Sequence, residues 1–286
     1  MGNLPTPRSD NVLLGLEPDG LPCPPIKPHT RDKLYTLGYY LKEFTTAMAG
    51  KFPNLVYIDL FAGAGRNEFP NHEIIEGSPL IAARTEPPFT KLILVEDDPE
   101  SRDALESRLR RDFPSRSFKM IPGDCNQVID QVIAEIPPPP PKGKGVLTVC
   151  FADPFDLSIR FSTLRRFMPL WVDFLVLIAD RMAGARDHTL LDPGSTVIAD
   201  FLDDPDWRPK WEAAKKQRTT SIQDFLMERF TEAMKGLGLK AGKPLRVNVE
   251  GMSVGLYWLA FFSRNDLALK LWNSAKKNAP RQGGLF

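Results

Sequence analysis

The chain has no apolar run of the about 18 residues that a membrane-spanning helix needs. Its first residues also lack a basic stretch followed by an apolar one. No membrane span and no signal peptide are therefore expected. Cysteine is scarce: Cys23, Cys125 and Cys150 are widely spaced, form no CxxC pair, and are odd in number. That argues against a disulfide framework and against a zinc pattern, and fits a reducing cytoplasm. Histidine is as scarce, and His29, His72 and His188 have no second histidine or carboxylate at ligand spacing, so the sequence supports no metal site. Excess charge is missing too. A formal net charge of +1 excludes a global basic footprint for nucleic acid and leaves room only for a local patch. Apolar residues are plentiful: 42% of 286 residues allow a sizeable core, in one large α/β domain with or without decorations.

One stretch organises the rest. Leu55-Val56-Tyr57-Ile58-Asp59-Leu60-Phe61-Ala62-Gly63-Ala64-Gly65 reads as a strand buried on both faces, an acid at its end, and a tight glycine turn. Gly63 and Gly65 let the backbone turn sharply and approach a ligand closely. Such strand ends bind nucleoside-like cofactors at the carboxyl edge of an open α/β sheet.

Around this stretch the pattern alternates. Residues 1–28 are rich in Pro, Gly and Asp and read as a flexible arm, pinned at most by the Val12–Leu16 cluster. A helix is expected from Thr30, a plausible N-cap, through Leu34, Leu37, Leu41, Phe44 and Met48, with Gly50 as its stop. After the opening strand, Asn67 to Glu76 reads as an irregular loop, and Ser78 as the cap of a helix whose first turn holds Pro79. Further strands are expected at Lys91–Glu96, Phe118–Ile121, Val146–Ala152 and Val172–Ile178, with helices from Asp98 to Leu109, Gln127 to Ile136 and Phe161 to Met168 between them. Pro137 to Pro141 is an unbroken proline run and reads as an exposed, stiff connection. Residues 180–220 are too long for a simple link and read as a partly helical insertion whose own core holds Trp207 and Trp211. An amphipathic helix from Ile222 to Leu237 follows. Leu245–Val249 and Leu256–Phe262, joined by a short link, are expected to pair antiparallel. A last helix covers Asp266 to Lys277, and residues 281–286 form a tail. The expected fold is a doubly wound, mostly parallel, seven-stranded Rossmann-like sheet with an antiparallel last strand, in a single domain over residues 29–280.

Asp59, Glu96, Asp124 and Asp153 fall at or just past the carboxyl ends of successive strands. Acids are costly near a core unless paired or solvated, so the set suggests a polar ligand. A cofactor with ribose and adenine accounts for most of them. Glu96 is expected to accept the ribose hydroxyls, with Asp97 beside it, Asp124 an adenine amino group, with Cys125 lining the pocket, and Asp59 a cationic amino group. The plain alternative makes one or two of these acids turn or cap residues, and Cys125 a small packing residue. In the turn Asp59-x-Phe61-Ala62-Gly63-x-Gly65, Phe61 stands where a dinucleotide loop has its first glycine, and no obvious helix start follows Gly65. That favours S-adenosyl-L-methionine, which carries no phosphate, over NAD.

Asp59-Leu60-Phe61-Ala62-Gly63-Ala64-Gly65 resembles the first cofactor motif of class I methyltransferases, and Phe151-Ala152-Asp153-Pro154-Phe155 resembles the Asp-Pro-Pro-Tyr motif of amino-directed methylases. More closely, the chain from His29 on is similar to the three-Cys-motif partner family. The matching pieces include the helix with Lys33 and Tyr40, Gly77-Ser78-Pro79-Leu80, Val95-Glu96, Gly123-Asp124-Cys125-Asn126 and Leu256–Ser263, covering roughly nine tenths of the chain. The resemblance implies a methyltransferase-type fold and a companion protein with a three-cysteine, radical-SAM-type iron–sulfur motif. It supports the fold more than any substrate.

In an amino-methylase the acid and the adjacent backbone carbonyl orient the target amine while the aromatic ring stacks on the base. Asp153, Pro154 and Phe155 are the candidate catalytic residues on that pattern. One of its two prolines is missing here, which alters the backbone path and leaves open a mere strand-ending turn. No cysteine nucleophile in a Pro-Cys pair follows the fourth strand, which excludes cytosine-C5 chemistry. His29 is a candidate to fold over the cofactor, and Arg181 and Arg186 to meet a phosphate, against the plainer reading of a solvated face. A nuclease or defence effector is the weakest option, for want of a metal-binding carboxylate pair at convincing spacing, and two functions remain. One is a cytoplasmic methyltransferase acting on a nucleic acid or nucleotide-like substrate. The other is a non-catalytic subunit that keeps the nucleoside pocket and presents substrate to the iron–sulfur protein.

Overall fold

A computed structural model describes residues 12, 14–28, 30–140, 145–154, 156–179, 188–217, 220–248 and 255–279. In chain order the elements are α1 (Thr30–Met48), β1 (Asn54–Asp59), β2 (Arg66–Glu68), β3 (Ile74–Glu76), α2 (Ser78–Arg84), β4 (Lys91–Glu96) and α3 (Pro99–Asp112). Then come β5 (Phe118–Pro122), α4 (Cys125–Ala134), β6 (Val146–Ala152), α5 (Phe161–Arg165) and β7 (Val172–Ala179). The chain closes with α6 (Val197–Leu202), α7 (Trp207–Gln217), α8 (Ile222–Gly236), β8 (Lys240–Ala241), β9 (Leu245–Asn248), β10 (Gly255–Ser263) and α9 (Asp266–Asn278).

The main sheet runs β5-β4-β1-β6-β7-β10-β8, and β9 also pairs with β10. From β5 to β7 every pairing is parallel, while β10 runs antiparallel to β7, β8 and β9. This is the expected doubly wound sheet with an inverted last strand. The eighth strand comes from the two-residue β8, too short to leave a period in the sequence. From β1 the chain steps outward to β4 and β5, then crosses back to β6 on the other side. The direction of winding therefore reverses between β1 and β6, and it is outside the carboxyl ends at such a point that open α/β sheets form a ligand crevice.

Side chains alternate across the central strands, and both faces are covered. Leu55 and Tyr57 of β1, Leu92 and Leu94 of β4, and Val149 and Phe151 of β6 face one core with α1, α2, α3 and α9. Val56, Ile58, Ile93, Val95, Cys150 and Ala152 face the other, with α4, α5, α6 and α8. A strand buried on both sides needs an unbroken apolar run, as these residues supply. Cys150 sits wholly inside this second core, and burial pushes its thiol up. The insertion forms no core of its own, contrary to expectation, and joins this one. Trp207 is 1% exposed, Trp211 packs on Phe225 at 5.3 Å, and Phe201 of α6 stacks on Phe230 of α8 at 4.7 Å between centroids.

Three local expectations change. Asn67 to Glu76 is not an irregular loop: β2 and β3 pair antiparallel there, Arg66 opposite Glu76. Gly77, not Ser78, is the N-cap of α2, and Ser78 lies in its first turn beside Pro79. The arm, expected to be flexible, is fastened over residues 14–28. Leu14 bridges to Ile75, the Leu16 amide donates to the Ile74 carbonyl, and the Ile26 amide donates to the Glu68 carbonyl. The hairpin has unpaired backbone groups along both edges, and the arm satisfies several of them. Among the described residues, no helix is long and apolar enough to cross a membrane.

Candidate functional site

The glycine turn leaves β1 at the crevice. Leu60 donates its amide to the Phe151 carbonyl of β6 at 3.0 Å, and Ala62 donates to the Val95 carbonyl of β4 at 2.9 Å. The first turn of the loop therefore caps the ends of both neighbouring strands. Gly63 and Gly65 then adopt positive φ, +64° and +84°, where an L side chain is strained. The space beside Gly63 is open: a Cβ there would meet nothing within 4 Å. Gly65 is the reverse case. A Cβ on it would lie 2.8 Å from Leu105 of α3, and its carbonyl accepts from the Gly77 amide at 2.7 Å. One glycine leaves room at the crevice, and the other allows the loop to press against α2 and α3.

Glu96 answers the turn from the end of β4. Its Oε2 accepts from the Gly63 amide at 2.6 Å and its Oε1 from the Asp98 amide at 3.0 Å. Both bonds are charge-assisted, and the carboxylate is half-buried at the rim. Asp97 beside it is exposed. Asp124 follows β5 and is the N-cap of α4. Its Oδ1 accepts from the Asn126 amide at 2.8 Å and from Asn126 Nδ2 at 2.9 Å. Asn126 in turn accepts from the Arg160 amide and from Thr163 Oγ1, and donates to the Ser158 carbonyl. It holds the segment after β6 against the end of β5. Cys125 lies under the rim, 2% exposed among Val128 and Ile129, and burial pushes its thiol up to about 12. It packs in the core and lines no open surface.

Asp59 differs from its expected role. It is wholly buried, and its carboxylate accepts from Tyr57 Oη at 2.9 Å and the Phe61 amide at 3.2 Å, and from the Ser78 hydroxyl. With those donors around it, Asp59 does not meet a cationic amino group in this geometry. It braces the turn from beneath and explains why Ser78 does not cap α2. Burial raises its pKa to about 6. The hydrogen bonds of Ser78, Tyr57 and Phe61 pull the other way, and the charge of Asp153 adds to the rise.

Asp153 stands past the end of β6 with Pro154 buried behind it; Phe155 lies outside the described residues, as do His29, Arg181 and Arg186. Asp153 Oδ2 accepts a charged hydrogen bond from Lys33 Nζ of α1. Lys33 is only 8% exposed, and its ammonium lies 5.8 Å from the centroid of the Tyr257 ring of β10. Burial, then the nearby charges of Asp153 and Asp32, pushes the Tyr257 phenol well up, so it stays protonated. Asp153 Oδ1 takes no hydrogen bond from the described residues. Sequence reasoning gave Lys33 and Asn126 no role. The signal for Lys33 was its position: with Leu37, Tyr40 and Phe44 it falls on the buried stripe of α1, where a cation needs a partner.

The structure thus gathers Phe61, Ala62, Gly63, Gly65 and Glu96 at one edge of the crevice and Asp153 with Lys33 at the other. Asp59 lies beneath, and Asp124 and Asn126 close the side toward β5. Tyr40 belongs elsewhere: its hydroxyl donates to Asp173 Oδ2 at 3.0 Å inside the sheet, where burial raises Asp173 to about 6. A cavity of about 630 Å³, lined by Arg110, Arg116, Phe118 and Lys119 among others, follows the edge strand β5 and takes no part in the site. No group of three or more His, Cys, Asp or Glu that could hold a metal occurs among the described residues.

No family model matches the chain, and no curated protein matches it. Solved structures do. Protein LPL1258 from Legionella pneumophila is 12% identical, with a TM-score of 0.51 over 88% of this chain and 92% of that one. An O-methyltransferase from Bacillus cereus in complex with SAH is 12% identical, with a TM-score of 0.44 over 85% of this chain and 84% of that one. P. horikoshii TYW2 in complex with MeSAdo is 14% identical, with a TM-score of 0.40 over 90% of this chain and 73% of that one. At these identities the likeness concerns fold alone: the chain shares a Rossmann-like α/β architecture, with its mostly parallel sheet and inverted strand β10, with the Legionella protein.

Proposed function

We propose that the chain is a cytoplasmic, S-adenosylmethionine-dependent methyltransferase acting on a nucleic acid or nucleotide-like substrate. One observation carries the cofactor reading: the Glu96 carboxylate, at the end of the strand after the glycine turn, reaches across to the Gly63 amide at 2.6 Å. A carboxylate able to accept from a ribose, next to a backbone free of side chain, supports this reading. The open space beside Gly63 fits close approach by a ligand, and the absence of a helix start after Gly65 fits one without a pyrophosphate.

When bound, the cofactor supplies an electrophilic methyl group on a sulfonium. Glu96 would accept from its ribose hydroxyls and Asp124 would meet its adenine amino group, while Asp59, Tyr57 and Ser78 keep the turn in place from below. On the substrate side, Lys33 holds one oxygen of Asp153 and leaves the other to accept from a target N–H. Orienting the amine and supporting the charge that develops on it favour direct transfer. Phe155 is proposed to stack on the base that carries the amine. The resemblance to the three-Cys-motif partner family adds a companion, a three-cysteine radical-SAM-type protein, to this reading.

Calorimetry with S-adenosylmethionine and with its demethylated product tests it. Wild type is expected to bind both. Glu96→Ala should bind at least tenfold more weakly, since charged hydrogen bonds contribute about 1.5–3 kcal/mol each. Asp153→Ala should keep cofactor affinity and lose methyl transfer to nucleic acid. No binding by wild type at large cofactor excess refutes the reading. Binding without transfer to any nucleic acid points instead to the non-catalytic subunit.

A further inference from the structure

Arg108 of α3 is an arginine with no exposed surface, and all five of its N–H groups are used. Nε and Nη2 form a fork on Asp19, at 2.9 Å to Oδ2 and 2.7 Å to Oδ1. The remaining N–H groups donate to the carbonyls of Leu21 at 3.3 Å, Pro22 at 2.9 Å and Ala64 at 2.6 Å. Ala64 lies between the two glycines of the turn. One guanidinium therefore joins the N-terminal arm, the helix after β4 and the glycine turn at a single buried point.

Asp19 is the arm's half of this joint. Besides Arg108 it pairs with Arg66 at 3.2 Å and Arg111 at 3.0 Å, and it accepts from the Leu21 amide at 3.3 Å. Three cations on one carboxylate, Arg108 foremost, hold it ionised well below the usual carboxylate range. Arg66, the first residue after the turn, also donates to the Glu17 carbonyl at 3.2 Å. Further along, the arm follows the hairpin, with the Glu68 amide donating to the Pro24 carbonyl and the Ile26 amide to the Glu68 carbonyl. Both ends of the turn are thus gripped from outside: Ala64 through Arg108, and Arg66 through Asp19 and Glu17.

A turn with two left-handed glycines has wide conformational freedom when left alone. A pocket formed on it gains affinity only if that freedom is removed before the ligand arrives. Asp59 braces the turn from below, but on the outer side the Ala64 carbonyl has Arg108, and Arg108 is neutralised by the arm. A buried guanidinium without Asp19 would be an unpaired charge in the core.

We propose that residues 17–22 and Arg108 form a strap that holds the glycine turn in its binding conformation, with Arg108 the positioning residue and Asp19 its anchor. The proposal rests on the cofactor reading above for what the turn binds, and on the contacts alone for what holds the turn.

The test is hydrogen exchange on the full-length chain, read at the amides of Ala62 to Gly65, together with calorimetry using S-adenosylmethionine. Asp19→Asn keeps the shape of the side chain and removes its charge. It should raise exchange in the turn at least tenfold, leave β1 and β6 protected, and weaken cofactor binding at least tenfold. Arg108→Lys, which keeps the charge and loses the fork, should behave the same way. Asp112→Asn is the control: it loses pairs with Arg66 and Arg111 but none with Arg108, and should change neither readout. Unchanged exchange in Asp19→Asn overturns the strap, and so does raised exchange with unchanged cofactor affinity. If wild type binds no cofactor, the cofactor reading fails, and exchange alone decides whether the strap exists.

Discussion

The wholly buried Asp59 makes a definite statement about stability and pH. Its pKa rises from 3.8 to about 6 in the folded chain, chiefly because burial disfavours the charge. The folded state therefore binds this proton more tightly than the unfolded state. Below pH 3.8 the carboxyl is neutral in both states and contributes no difference. Between pH 3.8 and 6 the unfolded chain gives up its proton and the folded chain keeps it, so stability falls as pH rises. About a unit above 6 both states are ionised and the loss is complete. A gap of 2.2 units, 6 minus 3.8, corresponds to about 3 kcal/mol at about 1.36 kcal/mol per unit. Asp59→Asn mimics the neutral acid and does not titrate, so the comparison isolates the titration of Asp59 together with its repulsion from Asp153. Urea unfolding of both proteins, at steps from pH 4 to 7.5, gives the difference in stability. Wild type should lose about 2 kcal/mol of that relative to the variant across the range, since the first part is already lost at pH 4, with most of the change below pH 6. Asp173, raised similarly, and Asp19, lowered, cancel in the comparison because both proteins keep them. A difference that stays flat across the range, or grows in favour of wild type as pH rises, refutes the reasoning.

Two further outcomes follow from the site. Lys33→Ala should keep cofactor affinity within about threefold yet lose at least tenfold in methyl transfer from labelled S-adenosylmethionine to nucleic acid, a loss of order 1.4 kcal/mol or more in transition-state stabilisation. Lys33→Arg should recover part of it, and equal rates for Lys33→Ala and wild type would remove Lys33 from the site. Gly65→Ala combines a φ of +84° with a Cβ only 2.8 Å from Leu105. It should cost about 2 kcal/mol or more by urea unfolding, while Gly63→Ala, with open space around it, should cost only the backbone term of about 1 kcal/mol.

The fold was legible because its strands are buried on both faces. Leu55–Ile58, Ile93–Val95 and Leu147–Phe151 leave apolar runs that survive without any tertiary information. The acids at the strand ends were legible for the complementary reason, that charge stands out against such runs. The donors that reach them were not. Ser78 looks like a cap from its neighbours, and only the packed turn reveals that Asp59 draws its hydroxyl away. The Asn67 to Glu76 hairpin has strands of three residues, too short for alternation to register, and is held partly by the distant arm. Lys33 and Arg108 share one overlooked sign. Each is a cation set in the apolar stripe of its helix, beside Leu37 and Tyr40 in one case and Ala104 and Leu105 in the other. A basic residue in that position has to find an anion or a carbonyl elsewhere in the chain; Lys33 does so at Asp153, and Arg108 at Asp19 and the glycine turn.

The Tyr40–Asp173–Ser263 junction bears on how the chain comes together during synthesis. Tyr40 belongs to the first helix, Asp173 to a middle strand and Ser263 to the end of β10, and the three meet inside the sheet. Helix α1 also carries Lys33, and it packs on α9 through the bond from Ser274 to Glu43 at 2.7 Å. A ribosome delivers α1 long before the strand and helix that seat it. Until β10 and α9 emerge, α1 lacks the surface that sets its angle over the sheet, and Lys33 has no fixed approach to Asp153. The residues of the candidate site are made early, but α1, which brings Lys33 to Asp153, is seated only when the last strand slides in between β7 and β8.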